Sequence, residues 1–157
     1  MATVMKVEWA EPAPRTRVEA ERLALLDRWT ASLGSDSVPH FLRQEVMVLA
    51  GIKDSDWRWL EYNRFVEGTV LPDESYRRYS VKEIRAIRLA IRLKKGNVRR
   101  SNKLSPRALS NFIKLEVNLF LSRPPIQATL PLDIAEAAAI RDMAQRRTHQ
   151  AHGDHPA

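Results

Sequence analysis

The chain has 157 residues, a net charge of +7 and 44% hydrophobic residues. This length suits one domain with helical extensions and excludes two enzyme lobes of ordinary size. The sequence contains no cysteine, which excludes disulfides, thiolate metal sites and a thiol nucleophile and favours a cytoplasmic protein. No apolar run approaches the ~18 residues that span a bilayer, and residues 1–14 lack a signal-peptide pattern, so we expect no membrane partner.

The positive charge is concentrated in one segment. Residues 76–115 hold 13 basic residues and one acid, Glu83, whereas residues 1–75 have a net charge of −4 and residues 116–157 a net charge of −1. Like charges at this density repel one another, and a polyanion that neutralises them releases counterions and gains affinity. The distribution favours a nucleic acid partner over the alternative, a solvated helix face.

The first predicted helix covers residues 17–33. Thr16 and Glu19 form a capping box, which satisfies the free amides at a helix start. Apolar residues at helical spacing, among them Val18 and Trp29, predict one buried face.

Two shorter helices are predicted next. One runs from 41 to 50 and ends at Gly51, and the other covers 54–66, after the N-cap candidates of residues 53–56. Two short helices joined by a tight turn that contains glycine are typical of a helix-turn-helix.

A small hairpin and a basic helix follow. Thr69–Leu71 and Tyr76–Tyr79 have strand character, with turn residues between them. Ser80 and Glu83 form a second capping box and begin a helix that carries an apolar and a basic face and ends near Gly96.

The rest of the chain is predicted to be helical except at its end. Ser105 and Pro106 cap a helix with apolar residues at helical spacing up to Phe120, and a last helix is expected from Pro131 to Arg147. Three histidines in the terminal tail have a spacing that suggests a metal site, but a flexible tail without a metal is the preferred interpretation. They are His149, His152 and His155.

Four sequence motifs occur in a recognisable order. Residues 45–52 have the form of a first helix and turn, the run Trp57-Arg58-Trp59-Leu60-Glu61 follows, Gly68–Pro72 leads into the hairpin, and Tyr76-Arg77-Arg78-Tyr79-Ser80 closes it before Glu83. From about residue 43 to residue 93 the chain resembles the winged helix-turn-helix DNA-binding domain of the MerR family. The resemblance implies a mainly α fold with a small β-hairpin wing, flanked by N- and C-terminal helices.

The chain departs from the family pattern in several places. The segment between Glu61 and Pro72 is longer, which predicts a longer recognition helix, and the segment from Pro72 to Tyr76 is shorter, which predicts a shorter wing. Ser75 stands where the family has a glycine before the wing tyrosine. The helix at 105–121 does not match the family's long dimerisation helix, so we expect no small-molecule effector and no cofactor.

The predicted organisation therefore has five parts. They are an N-terminal helical extension (1–36), the MerR-like winged helix-turn-helix (37–96), a basic connector (97–104), C-terminal helices (105–147) and a flexible tail (148–157).

The resemblance and the charge pattern together predict the DNA-binding residues. An α-helix in the major groove reads base edges, and cations and hydroxyls of the wing bind phosphates. The residues are Ser55, Arg58, Trp59, Tyr62, Tyr76, Arg77, Arg78, Arg85, Lys94, Lys95, Arg99, Arg100 and Lys103.

Several of these residues have a second interpretation. Arg58 either contacts DNA or pairs with Asp54 or Glu61, and Trp59 either packs or contacts a sugar-phosphate edge. Tyr79, at the wing base, belongs either to the core or to the phosphate contacts. The cations from Lys94 to Lys103 either track the DNA backbone or form a solvated linker.

No motif of catalysis stands out, so we expect no enzyme. Sequence-specific binding of double-stranded DNA by a transcriptional regulator is the predicted function. An excisionase-like or partition-type architectural factor and a helical protein-interaction adaptor are the alternatives. A homodimer is expected because one short helix reads few base pairs. The apolar faces at Leu25–Leu33 and Phe112–Phe120 are the candidate interfaces, or part of the intramolecular core.

Overall fold

The computed structural model describes residues 13–127 and Asp142. In this part the chain forms five helices and a two-stranded antiparallel sheet, which confirms the mainly helical class. The elements are α1 (Arg17–Leu33), α2 (Arg43–Ala50), α3 (Asp54–Asn63), β1 (Thr69–Val70), β2 (Arg77–Arg78), α4 (Val81–Arg99) and α5 (Pro106–Leu121). The predicted helix at Pro131–Arg147 and the tail with its histidines lie outside the described residues.

Side-chain caps set the predicted starts of α1 and α4, whereas the N-cap of α3, Lys53, makes no side-chain cap hydrogen bond. The hydroxyl of Ser80 accepts the backbone N–H of Glu83, and the Glu83 carboxylate accepts the N–H of Ser80, each at 3.1 Å. At α1 the Thr16 hydroxyl accepts the N–H of Glu19 at 3.1 Å, but the Glu19 carboxylate accepts from Arg15 instead of Thr16. The capping box is therefore complete at α4 and formed from one side at α1.

One hydrophobic cluster joins all five helices. The predicted inner face of α1 is wrong at Val18, which is 52% exposed, because the buried residues of this helix begin two turns later, at Leu26. The fully buried large side chains of the cluster include Leu26, Phe41, Leu49, Ile84, Ile87 and Ile113. Residues 17–33 thus share a core with the residues that follow.

The hairpin is attached to the helices at its base. Strand register pairs Thr69 with Arg78, and one residue further Phe41 and Tyr79 exchange backbone hydrogen bonds of 2.9 and 2.8 Å. The Tyr79 ring is buried and meets the Trp57 ring edge-on at 5.4 Å. Burial raises the pKa of the Tyr79 hydroxyl. Tyr79 therefore belongs to the core.

Gly68 fits closely at the start of the hairpin. Its φ is +72°, and a Cβ there would lie 2.8 Å from the Tyr79 ring, which only glycine avoids. Its N–H donates to the Glu83 carboxylate at 3.0 Å. The same carboxylate thus caps α4 and holds the hairpin.

Two boundaries of the predicted helix pair are wrong. The first helix begins at Arg43 and not at 41, because Phe41 pairs with Tyr79. The second ends at Asn63 and not at 66, because Arg64 adopts the left-handed conformation (φ 54°) and directs Phe65 into the core. The expected longer recognition helix is therefore not formed.

The end of the basic helix is also wrong in the prediction. α4 continues through Gly96 to Arg99. The Asn97 side chain accepts the N–H of Leu104 at 2.9 Å and donates to its carbonyl at 3.3 Å. This side chain, and not the glycine, fixes where the chain turns away.

His40 packs against the Trp29 and Phe41 rings, with ring centroids 5.5 and 5.0 Å away. Burial and the nearby Arg78 charge lower the pKa of this imidazole below 6.5. At a pH between the lowered pKa and 6.5, His40 is therefore mostly neutral in the folded protein and mostly protonated in the unfolded chain.

We expect the free energy of unfolding to be highest above pH 6.5, the unperturbed value, and to fall as the pH is lowered until the folded pKa is passed. The slope from this residue is at most ~1.4 kcal/mol per pH unit. Urea unfolding between pH 5 and 8 measures it. The His40→Gln variant should lack this component, and an unchanged slope in that variant would contradict the assignment.

Candidate nucleic-acid interface

The outward face of α3 brings together three of the predicted site residues. Ser55, Arg58 and Tyr62 are spaced i, i+3 and i+7 on this helix and share one face. All three are exposed, Tyr62 by 88%, while Trp57 and Leu60 are buried on the opposite side. The helix therefore presents a guanidinium and two hydroxyls to the solvent.

Arg58 does not form the ion pair that was its alternative. Asp54 lies 3.7 Å from Arg43 of α2 instead. Among residues 13–127, no carboxylate lies within ion-pair distance of Arg58. Its guanidinium is available to an external partner.

Two other predicted site residues, Trp59 of α3 and Lys94 of α4, contact each other. The Trp59 ring is half-buried and meets the Phe65 ring at 5.0 Å. Lys94 of α4 places its Nζ 4.5 Å from the centre of the Trp59 ring and 3.7 Å from the Asp56 carboxylate. Trp59 thus packs, and Lys94 joins α3 to α4.

The two arginines of the hairpin have different environments. The Arg78 guanidinium forms paired hydrogen bonds of 2.7 and 2.8 Å with Glu74 and donates to the His40 carbonyl at 2.8 Å. Only 12% of its side chain is exposed, and the hydrogen bond to Glu74 raises its pKa. The Tyr76 ring stacks on it at 5.4 Å. Arg77 is exposed and donates to the Glu67 carbonyl at 2.9 Å.

Acidic residues of α1 pair with the first half of α4. Arg85 lies 2.6 Å from Asp27, and Arg88 and Arg92 each lie 3.3 Å from Glu19. Arg78, Arg85 and Lys94, three of the predicted DNA contacts, are therefore engaged inside the protein, and we omit them from the candidate interface.

The remaining predicted cations, at the end of α4 and just beyond it, divide into two groups. Lys95 and Arg99 line a cavity together with the start of α1. Arg100 and Lys103 are exposed beyond the helix end. With Arg58 and Arg77, these two complete the outward cations of the candidate interface.

The cavity contains basic residues that the sequence did not single out as a site. Arg15 and Arg22 come from the net acidic part of the chain, where no charge run marks them. Arg88 and Arg92 were visible as a basic face of the helix, but not their position beside α1. The helical spacing of the basic residues of α4 was the sequence signal from which part of this cavity could have been predicted.

Two other kinds of feature, a metal centre and a membrane-spanning helix, are not found within residues 13–127. This part contains no cluster of three side chains suited to hold a metal ion, and none of its helices has the length and apolarity needed to cross a membrane. Comparison with protein-family models, curated proteins and solved structures finds no match for the chain.

The neighbouring arginines of the hairpin allow a matched test. We expect Arg78→Ala to lower the free energy of unfolding by about 3 kcal/mol, because it leaves the Glu74 carboxylate buried without its partner. Arg77→Ala removes the same charge from an exposed side chain and should change it by about 0.5 kcal/mol at most. Urea denaturation measures both, and equal losses would contradict the structural role of Arg78.

Proposed function

We propose that the protein binds double-stranded DNA sequence-specifically and acts as a transcriptional regulator. In this proposal α2, the turn at Gly51, α3 and the β1–β2 hairpin form a winged helix-turn-helix, and α3 enters the major groove. The observation that carries the proposal is the exposed face of α3, where Arg58 has no carboxylate partner among the described residues. The resemblance to the MerR domain supports the same assignment.

The chemistry of this face suits base reading. A guanidinium forms two parallel hydrogen bonds with the O6 and N7 atoms of guanine. Ser55 and Tyr62 add hydroxyls that donate and accept. Two of the three acids of α3, Asp54 and Asp56, lie beside cations of other helices, which reduces their repulsion of DNA.

Phosphate contacts come from the remaining outward cations. Arg77 on the hairpin and Arg100 and Lys103 after α4 are exposed. Such contacts set the register of the protein on the duplex and carry little sequence information. A cytoplasmic location agrees with this role and stays a prediction.

We assign the proposed homodimer to α5. Its buried side faces the core through Ile113 and Val117, whereas Phe112, Leu115 and Leu119 form an apolar stripe on another side, 38%, 57% and 49% exposed. On the other candidate face, of α1, Leu26 and Trp29 are buried in the core, which favours α5.

Selection of genomic DNA fragments by the purified protein tests the function. We use about 150 mM salt, at which binding through phosphates alone is weakened. A palindromic or repeated motif near promoters supports a regulator, and clustered repeats elsewhere support an architectural factor. Binding that vanishes with salt and selects no motif would contradict sequence-specific recognition.

Arg58→Ala should weaken binding to the selected site by ~1–3 kcal/mol and remove the preference at one base pair, because a base contact is lost. The matched control is Arg28→Ala, which removes an exposed arginine of α1 and should leave the base preference unchanged. Fluorescence anisotropy with single-base variants of the site measures both. An equal loss on every sequence would assign Arg58 to phosphate.

Leu115→Asp should convert the dimer to a monomer, because the charge cannot be buried without a partner. Lys114→Asp alters an exposed residue on a different side of α5 and should leave the dimer intact. Analytical ultracentrifugation measures both. A wild-type protein that is monomeric at all concentrations would contradict the homodimer.

A further inference from the structure

A cavity of about 410 Å³ lies between the start of α1, the turn after α2 and the second half of α4. Thr16, Gly51 and Ile91 contribute to its walls, and among the described residues Glu19 is the single carboxylate that lines it. Six cationic side chains line it as well: Arg15, Arg22, Arg88, Arg92, Lys95 and Arg99.

The four cations from α4 lie on one face of that helix. Arg88, Arg92, Lys95 and Arg99 are spaced i, i+4, i+7 and i+11, which stacks them along the side that faces α1. Glu19 lies 3.3 Å from both Arg88 and Arg92 and also accepts the backbone N–H of Arg15 at 3.2 Å. One negative charge is thus shared between two guanidiniums.

Three other cations that line the cavity, Arg22, Lys95 and Arg99, receive no counter-charge from the part of the chain that the structure describes. Within residues 13–127 and at Asp142, no carboxylate forms an ion pair with Arg22, Lys95 or Arg99. The Arg22 guanidinium is held against the backbone of Gly51, where a Cβ would collide with it. Cations gathered on one surface repel one another, and an anion bound among them relieves the repulsion.

The size and lining of the cavity identify the class of anion. Its volume lies within the ~300–1,000 Å³ typical of small-molecule sites. Guanidinium groups bind phosphate through two parallel hydrogen bonds. The described residues that line it include no aromatic ring on which a base can stack. Recognition therefore acts on phosphate groups.

We propose that this cavity binds a small, multiply phosphorylated anion. The site uses different side chains from the outward face of α3, so it does not depend on the proposed DNA binding. The phosphates of a DNA backbone share the same chemistry, and the experiment separates the two sources.

Inorganic tripolyphosphate is the probe, titrated into the full chain by isothermal calorimetry at low salt. We expect saturable 1:1 binding. The double variant Lys95→Gln, Arg99→Gln should weaken it about tenfold or more, by loss of two charge-assisted contacts. The matched control Arg107→Gln, Lys114→Gln removes two exposed cations of α5 outside the cavity and should change the affinity by about twofold or less.

The second variant is expected to bind tripolyphosphate more tightly than the wild type. Glu19→Gln removes the carboxylate that the described residues contribute to the cavity lining and keeps an oxygen acceptor for the Arg15 N–H. Tripolyphosphate should then bind several-fold tighter, which a folding defect cannot produce.

Three results would overturn the proposal. The first is the absence of saturable binding, and the second is an equal loss in the cavity variant and the α5 control. The third is displacement of tripolyphosphate by duplex DNA, together with an equal loss of DNA affinity in the cavity variant. That result would assign the cavity to a DNA phosphate.

Discussion

The concentration of positive charge on α4 is the constraint to which the other elements respond. The helix buries Ile84, Ile87 and Ile91, so its basic side chains share the remaining surface and repel one another. α1 supplies Asp27 and Glu19 to three of them. Asp27 is 74% exposed, and a pair of this kind contributes less than about 1 kcal/mol. Glu19 matters more, because the Arg88 side chain is only 8% exposed and a guanidinium buried without an anion costs several kcal/mol. The acid-rich first 75 residues are therefore the internal counterpart of the basic segment.

This internal neutralisation decreases along the helix. Arg85, Arg88 and Arg92 have acidic neighbours, whereas the cations from Lys95 onward meet none among the residues described. Cations without a carboxylate partner among the described residues are therefore concentrated at the end of α4, where they attract an external polyanion. The net charge of the chain and the charge of residues 76–115 both overestimate the positive charge that an external partner meets. Ion pairs within the fold already balance part of it.

The sequence predicted most where local rules decide. The helix starts at Thr16, Ser80 and Ser105 follow from hydroxyl caps, and the hairpin follows from turn chemistry. The errors occur where a distant contact sets the outcome. Phe41 lies outside the helix that was predicted to begin there, because its backbone pairs with Tyr79, which is 38 residues further along the chain. Distant contacts also decide which cations of the site are paired. Arg85 and Asp27 are 58 residues apart, so their ion pair could not be predicted from sequence spacing. A basic residue is recognisable from the sequence, but whether its charge is balanced internally depends on packing.

The base of the hairpin determines how the proposed DNA contacts relate to one another. A two-stranded hairpin alone is marginally stable in water, and here each strand has only two residues. Its stability comes from the Glu83 carboxylate, from the backbone pairing of Tyr79 with Phe41 and from the buried pair of Arg78 with Glu74. Tyr79 in turn packs on Trp57 of α3. The backbones of Arg77 on the hairpin and Arg58 on α3 are therefore held on one packed unit, and neither backbone can shift without disturbing the core. A protein that reads bases with one and phosphates with the other needs this fixed relation, because the phosphate contact sets the register in which the bases are read.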